Sequence, residues 1–346
     1  MRTLHVVEPW SPPGPLSGSS DRARHGDMAI LACRGVVDSG DPDEQTILVL
    51  GGSKAGRRAA ALGLVGFERI APPLGRVELA HRSIARWLET RAPFQRAILW
   101  NGPNAGPWRH VAQDIVAFDP VTGGAGENAA SLPADVATPD GVSRLRALRR
   151  DARTALGLAD TDECVCLLGD PPDSANAANF AFLTALLRAT GRSVAGLLGS
   201  GSFHARRALN PSRLEPLHVR LIGTDRPLPL VLPACDLAVH APGSRLDPKP
   251  AVATWCDAAL ARLAWSLGVP VLSATPEVVA PRGRAACLTP TAHPSAIAHA
   301  ITELSRDRIA RLGRDLLDAH GGDERSPFAQ AFARALEQPA SLGGAR

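Results

Sequence analysis

The sequence predicts an α/β protein built from two units with parallel sheets. Three observations lead there. Short runs at residues 46–50 (TILVL), 97–100 (AILW) and 164–168 (CVCLL) are apolar at almost every position, as strands buried on both faces are. Each run closes in a Gly, Pro, Asn or Asp turn and gives way to a helical pattern. The alternation stops once, at residues 119–142, where DPVTGGAGENAASLPADVATPDG has no period and reads as a linker.

Along the chain, residues 4–7 are the first candidate strand. The loop PWSPPGPLSGSS follows, then a helix over 21–36. The strand 46–50 ends in Gly51-Gly52, and the Ala-rich stretch 54–63 favours helix. Strands are expected at 67–71, 97–100 and 115–118. Between the first two, residues 76–91 set Leu79, Ile84 and Leu88 among charges. After the linker, SRLRALRRDARTALGL places Leu145, Leu148, Ala152 and Leu156 on one helix face. Its five Arg before 154 read either as a solvated face or as a surface for anionic headgroups, a peripheral membrane contact. A second alternating series then runs through strands at 164–168, 194–198, 219–222, 237–240 and 269–273. Helices are expected at 176–190, 257–267 and 293–319, with a last one at 326–337 after a Gly-Gly break. The boundaries are 1–125 for the first domain, 126–142 for the linker, 143–325 for the second domain and 326–346 for the returning helix and tail.

Composition narrows the class. Of 346 residues, 45% are apolar and 21% charged, which excludes a disordered, collagen-like or coiled-coil chain. A net charge of +4 spread over two domains is far from the basic patch of a nucleic-acid binder, so no nucleic-acid partner is expected. Lys occurs only at 54 and 249, and Tyr is absent. The six Cys, at 33, 164, 166, 235, 256 and 287, mostly lie in apolar runs and include no C-x2-C pair. They read as buried free thiols, with Cys164 and Cys166 on the same face of a strand. The N-terminal apolar patch is too short for a secretion signal, and no uncharged apolar run reaches membrane-spanning length. A cytoplasmic location is expected.

The order of pieces in the second half carries a resemblance. TPDGVSRLRALRRDARTALGL, DECVCLLGD, VAGLLGSGS, HVRLIGTDRPLPLVLPACDLAVHAPGS and ALARLAWSLGVPVLSAT follow one another over about 138–319. This series resembles the donor half of GT-B glycosyltransferases, especially the large family-four-like group. The resemblance implies two facing Rossmann-like domains with an interdomain cleft, the first on the acceptor side and the second binding the donor. It implies hexosyl transfer from a nucleotide-sugar donor to an acceptor that is a glycan, a lipid or a small molecule. It further implies no metal and no cofactor, and a last helix packed back toward the first domain.

A diphosphate donor needs backbone N–H groups, helix N-termini and cations. Candidates for contact with it are Ser17, Gly18 and Ser19 before the first helix, Gly169, Gly199 and Gly201, and Gly223 and Thr224 at a strand end. Gly243, Ser244, Arg245 and Lys249 in the loop after residue 240 complete the set. The bland alternatives are an N-cap at 17–20, a tight βα turn at 199–201 and a solvated loop at 243–249. His110, with nearby Asn101, and His240 are the candidate catalytic residues, with packing or exposure as the competing reading. The sequence also departs from the family. The Arg and Lys that clamp the diphosphate after the first donor strand are replaced by Gly169-Asp170-Pro171-Pro172-Asp173. Trp255 and Leu263 stand where the resemblance calls for a Glu pair. These losses leave two further readings, a non-catalytic GT-B-like binding or scaffold protein and, lower, a nucleotide-sugar epimerase. Arg245 and Lys249, in a loop longer than the family pattern, are the candidates to replace the clamp.

Overall fold

The computed structural model describes residues 1–8, 20–41, 44–72, 80–91, 93–101, 108–120, 122–125, 132–168, 174–199, 219–222, 226–240, 254–275, 278, 286–288, 293–319 and 327–337. The chain divides into two compact units, one formed mainly before residue 140 and one after it.

The first unit holds β1 (Thr3–Val7), α1 (Ser20–Val37), β2 (Gln45–Leu50), α2 (Ser53–Ala61), β3 (Phe67–Ile70), α3 (His81–Glu89), β4 (Phe94–Trp100), β5 (Ala112–Asp119) and β6 (Gly124–Ala125). The sheet order is β3-β2-β1-β4-β5-β6. All pairs are parallel except β5 with β6. Period 2 explains the two faces of β1. Leu4 and Val6 join Leu48, Leu50, Ile84, Leu99 and Trp108 in one buried cluster. His5 lies on the other side, where its Nδ1 accepts a hydrogen bond from Trp100 Nε1 at 3.2 Å. Burial holds the His5 imidazole down at about 4, against a weaker opposing contribution from a hydrogen bond with Gln45.

The second unit holds α4 (Pro139–Ala147), α5 (Arg149–Ala155), β7 (Glu163–Leu168), α6 (Ser174–Ala189), β8 (Val194–Gly199), β9 (Val219–Ile222), α7 (Leu228–Val231), β10 (Leu237–His240), α8 (Trp255–Ser266), β11 (Val271–Ser273), β12 (Ala286–Leu288), α9 (Pro294–Glu303) and α10 (Arg306–Ala319). Its six strands run β12-β11-β10-β7-β8-β9, all parallel. Counted from each unit's own first strand, both sheets begin 3-2-1-4-5, the doubly wound order. Phe180, Leu183, Leu187, Val239, Leu272, Ile297 and Ile301 form the core between the sheet and helices α6 and α9. The helix α11 (Pro327–Glu337) packs with the first unit. Its Phe332 stacks on Trp100 with ring centroids 5.2 Å apart, and its Phe328 meets Phe118 edge-on at 5.8 Å.

Several helices differ from the expectation. Within the stretch 76–91 the described helix is His81–Glu89, with Ala80 as its N-cap. The Arg-rich segment is two helices, broken at Leu148, and the first starts at Pro139, inside the expected linker. The segment 293–319 is also two, because Ser305 Oγ accepts from Arg308 N–H and starts a new helix. The solvated-face reading holds for the exposed Arg144 and Arg150 but not for the other three. Arg146 donates to Ser266 O, and Arg149 to Pro233 O and Cys235 O. Arg153 is buried and donates to Ala234 O, Ala159 O and Asp162 O. Arg149 and Arg153 also share the Asp236 carboxylate. These side chains fasten α4 and α5 to carbonyls at the end of α8 and in the turns before β7 and β10, with Arg149 remaining half exposed.

Among the described residues no helix is long and apolar enough to cross a membrane. Cys33, Cys164, Cys166, Cys235 and Cys256 are buried free thiols. Cys164 and Cys235 lie 3.8 Å apart. The hydrogen bond to Cys235, then burial, holds the Cys164 thiol well above its ordinary range, so it stays neutral and unreactive.

Candidate functional site

In a doubly wound sheet the two strands that flank the order reversal send their connections in opposite directions. The carboxyl ends of those strands therefore open a crevice. In the first unit they are β1 and β4, whose last paired residues are Val7 and Trp100. Just beyond, Glu8 and Asn101 are both buried. Asn101 takes φ 64°, a left-handed conformation that Asn tolerates better than most residues, and its Nδ2 donates to Glu8 O at 3.1 Å. This bond latches the two strand ends together. His110 sits in the turn before β5 and is exposed, apart from this latch in the chain.

In the second unit the reversal falls between β7 and β10, where His240 lies opposite Leu168. His240 is only 2% exposed. Its Nδ1 is 3.1 Å from Ser273 Oγ at the end of the neighbouring β11. Ser273 Oγ also accepts from Thr275 N–H at 3.0 Å. The other ring nitrogen, Nε2, is buried without a hydrogen-bond partner and faces Asp257 Oδ2 at 3.7 Å. Asp257 itself is fixed by a capping box. Thr254 is the N-cap of α8, its Oγ1 accepting from Asp257 N–H. Asp257 Oδ2 accepts from Thr254 N–H and from its hydroxyl, each at 2.9 Å. Three polar side chains thus meet at the sheet's carboxyl edge, next to otherwise apolar strands.

His240 is the one candidate catalytic residue brought into a polar cluster. Gly199 ends β8 opposite Ile222 of β9, half-buried. Ser17, Gly18, Ser19, Gly169, Gly201, Gly223, Thr224, Gly243, Ser244, Arg245 and Lys249 lie outside the described residues. Trp255 and Leu263, at the positions of the expected Glu pair, are buried on α8. Ser273 and Thr275 escape a sequence reading because Ser273 ends an apolar run as any turn residue would. Asp257 carries a legible signal, since Thr254-x-x-Asp257 is a capping sequence. It sets the helix start at Trp255 rather than at 257. Among the described residues no group of three or more His, Cys, Asp or Glu is arranged to hold a metal ion.

No family model matches the chain, and no curated protein matches it in sequence. Solved structures do match along nearly the whole chain. UGT89C1 of Arabidopsis thaliana, complexed with UDP, covers 97% of this chain and 99% of its own at 12% identity, with a TM-score of 0.51. The UDP-GlcNAc 2-epimerase of Neisseria meningitidis, bound to UDP-GlcNAc, covers 98% and 100% at 12% identity, with a TM-score of 0.50. The fold is of the GT-B type. Within this GT-B chain each unit carries its own buried polar latch at the order reversal, Glu8–Asn101 in the first and His240–Ser273–Asp257 in the second.

Proposed function

We propose that the chain transfers a sugar from a nucleotide-sugar donor to an acceptor, and that the second unit binds the donor. The observation that carries this reading is the cluster of His240, Ser273 and Asp257 at the order reversal of a GT-B sheet. Burying three polar side chains costs free energy, and the carboxyl edge is where open α/β sheets take their ligands. It is supported by the two similar structures, both of which hold a uridine nucleotide. In this reading loop amides and the cations Arg245 and Lys249 neutralise the leaving diphosphate, and His240 lines the donor side. Gly199 and the other glycines of the strand-end loops give the diphosphate room to approach the backbone. Neither a metal nor a cofactor takes part.

Thermal melting with UDP, GDP, ADP and TDP tests the proposal. One nucleotide raises Tm selectively, and at a hundredfold excess over its Kd the gain is about 2.7 kcal/mol. Replacing Arg245 and Lys249 together by Ala abolishes that gain. The matching nucleotide sugar is then turned over to free nucleotide, at the same rate with and without EDTA. No response to any of the four nucleotides overturns the donor-site reading. Tight binding without turnover favours a binding or scaffold protein, the reading to which the buried Trp255 and Leu263 lend weight.

A further inference from the structure

Glu163 opens β7, and Leu168 closes it opposite His240. The six residues of this strand set the two edges of the second sheet about 16 Å apart. At the Glu163 edge lies an open cavity of about 370 Å³. Its walls are the starts of β7 and β8, the turn after α6, the end of α9 and the start of α10. The floor is an ion pair. Glu163 is buried, and its carboxylate accepts from Arg192 Nε at 2.9 Å and from Nη2 at 2.6 and 2.7 Å. Arg192 Nη1 donates to Ile301 O at 2.5 Å and to Leu304 O at 3.3 Å. A guanidinium has five hydrogens, and these contacts use all five. The floor is therefore neutral and closed, with no net charge to offer a ligand.

The hydroxyls above it decide what fits. Thr190 Oγ1 donates to Leu187 O, Thr302 Oγ1 to Ala298 O and Ser193 Oγ to the Asp162 carboxylate. Carbonyl and carboxylate oxygens only accept, so each hydroxyl has spent its hydrogen and keeps its lone pairs. Donors come from Arg306, which gives one of its five hydrogens to Asp160 O, and from Ser305, whose oxygen accepts from Arg308 N–H. An anion would meet three spent hydroxyls and a carboxylate, and a cation would meet Arg306. A sugar hydroxyl both donates and accepts, and so satisfies both kinds of partner without a charge. The volume is near the lower end of ligand sites, which begin at about 300 Å³, and suits one sugar residue rather than a chain. We propose that this cavity binds a single uncharged sugar residue. The site goes beyond the donor-site reading and does not rest on it, since it lies at the opposite edge of the sheet.

Saturation-transfer difference NMR on the full chain tests this, with glucose, galactose, mannose and N-acetylglucosamine as probes. At least one of the four binds, with a Kd on the order of millimolar. Thr302→Val and Thr190→Val keep the side-chain shape and remove the oxygen, and each weakens that Kd about threefold to tenfold. Ser193→Ala acts in the same direction, and Thr302→Trp, which fills the cavity, abolishes the signal. All four variants keep the wild-type circular dichroism spectrum, because each replaces an exposed side chain. Inorganic phosphate does not displace the sugar, and neither do UDP, GDP, ADP or TDP. No binding of any of the four sugars, a Kd unchanged in the variants, or displacement by phosphate or by a nucleotide overturns the inference. A wild type that binds a sugar here but none of the nucleotides overturns the donor-site reading alone.

Discussion

His5 shows what a buried titratable group does to the residues around it. Trp100 donates to its Nδ1, and burial holds its imidazole neutral down to about pH 4. An unfolded His takes up a proton near 6.5, so between those values the unfolded chain binds a proton that the folded chain refuses. Stability is therefore complete above about pH 6.5 and declines as pH falls toward 4. The gap corresponds to about 3 kcal/mol if the whole range is traversed. Urea denaturation at pH 7, 5.5 and 4.5 should show this decline, and His5→Gln should remove much of it. Arg153 makes the complementary case. Its guanidinium satisfies three carbonyls and part of the Asp236 carboxylate while itself buried. Truncation to Ala takes this donor from the Ala234 and Asp162 carbonyls, while Asp236 keeps Arg149 and Cys164 N–H, at a cost of about 3 kcal/mol. Arg150, exposed on the same helix, should change stability by less than about 0.5 kcal/mol when cut to Ala. Equilibrium unfolding of the two variants side by side separates a fastener from a solvated charge.

At the scale of elements, the contacts between helices decide what can be replaced. Gly268 ends α8 with φ 78°, and a Cβ on it would meet Leu317 of α10 at 2.8 Å and Gly313 O at 3.1 Å. Gly313 in turn approaches Gly268 O so closely that no side chain fits. This explains the glycine of the Gly-Val-Pro-Val segment without any ligand. Helix α11 depends on rings instead. Phe332 is fully buried between Trp100, Phe118 and Phe328. Phe332→Ala should cost about 3–5 kcal/mol, seen as a lower urea midpoint with a raised Trp fluorescence wavelength in the native state. Strands were legible because a run such as 46–50 has few other ways to be buried. Helix ends were less so. Nothing in the Leu-Ala-Arg pattern around Leu148 marks a break, and Ser305 inside a periodic stretch reads equally as an interior residue or a cap.

For the whole molecule, the α/β class and the GT-B type followed from alternation and from the order of motifs, both of which are local in sequence. The site did not follow in the same way. His240, Asp257 and Ser273 are spread over 34 residues, and only the register of β10 against β11 and the start of α8 bring them together. Spacing in sequence says nothing about such a meeting. The substitution of Trp255 and Leu263 for acids was visible, but that their side chains are buried needed the packing of α8 to be known.

The position of α11 has a consequence for synthesis. The core of the first unit is not contiguous in the chain. Trp100 and Phe118 emerge from the ribosome early, whereas the Phe328 and Phe332 that cover them emerge only after the entire second unit has been made. Until then the nascent first unit carries an uncovered aromatic face beside a chain still growing, at some 5–20 residues per second. Its folding cannot finish domain by domain from the N-terminus. A helix translated after the second unit completes a sheet translated before it, and for those seconds a chaperone has a defined surface to hold.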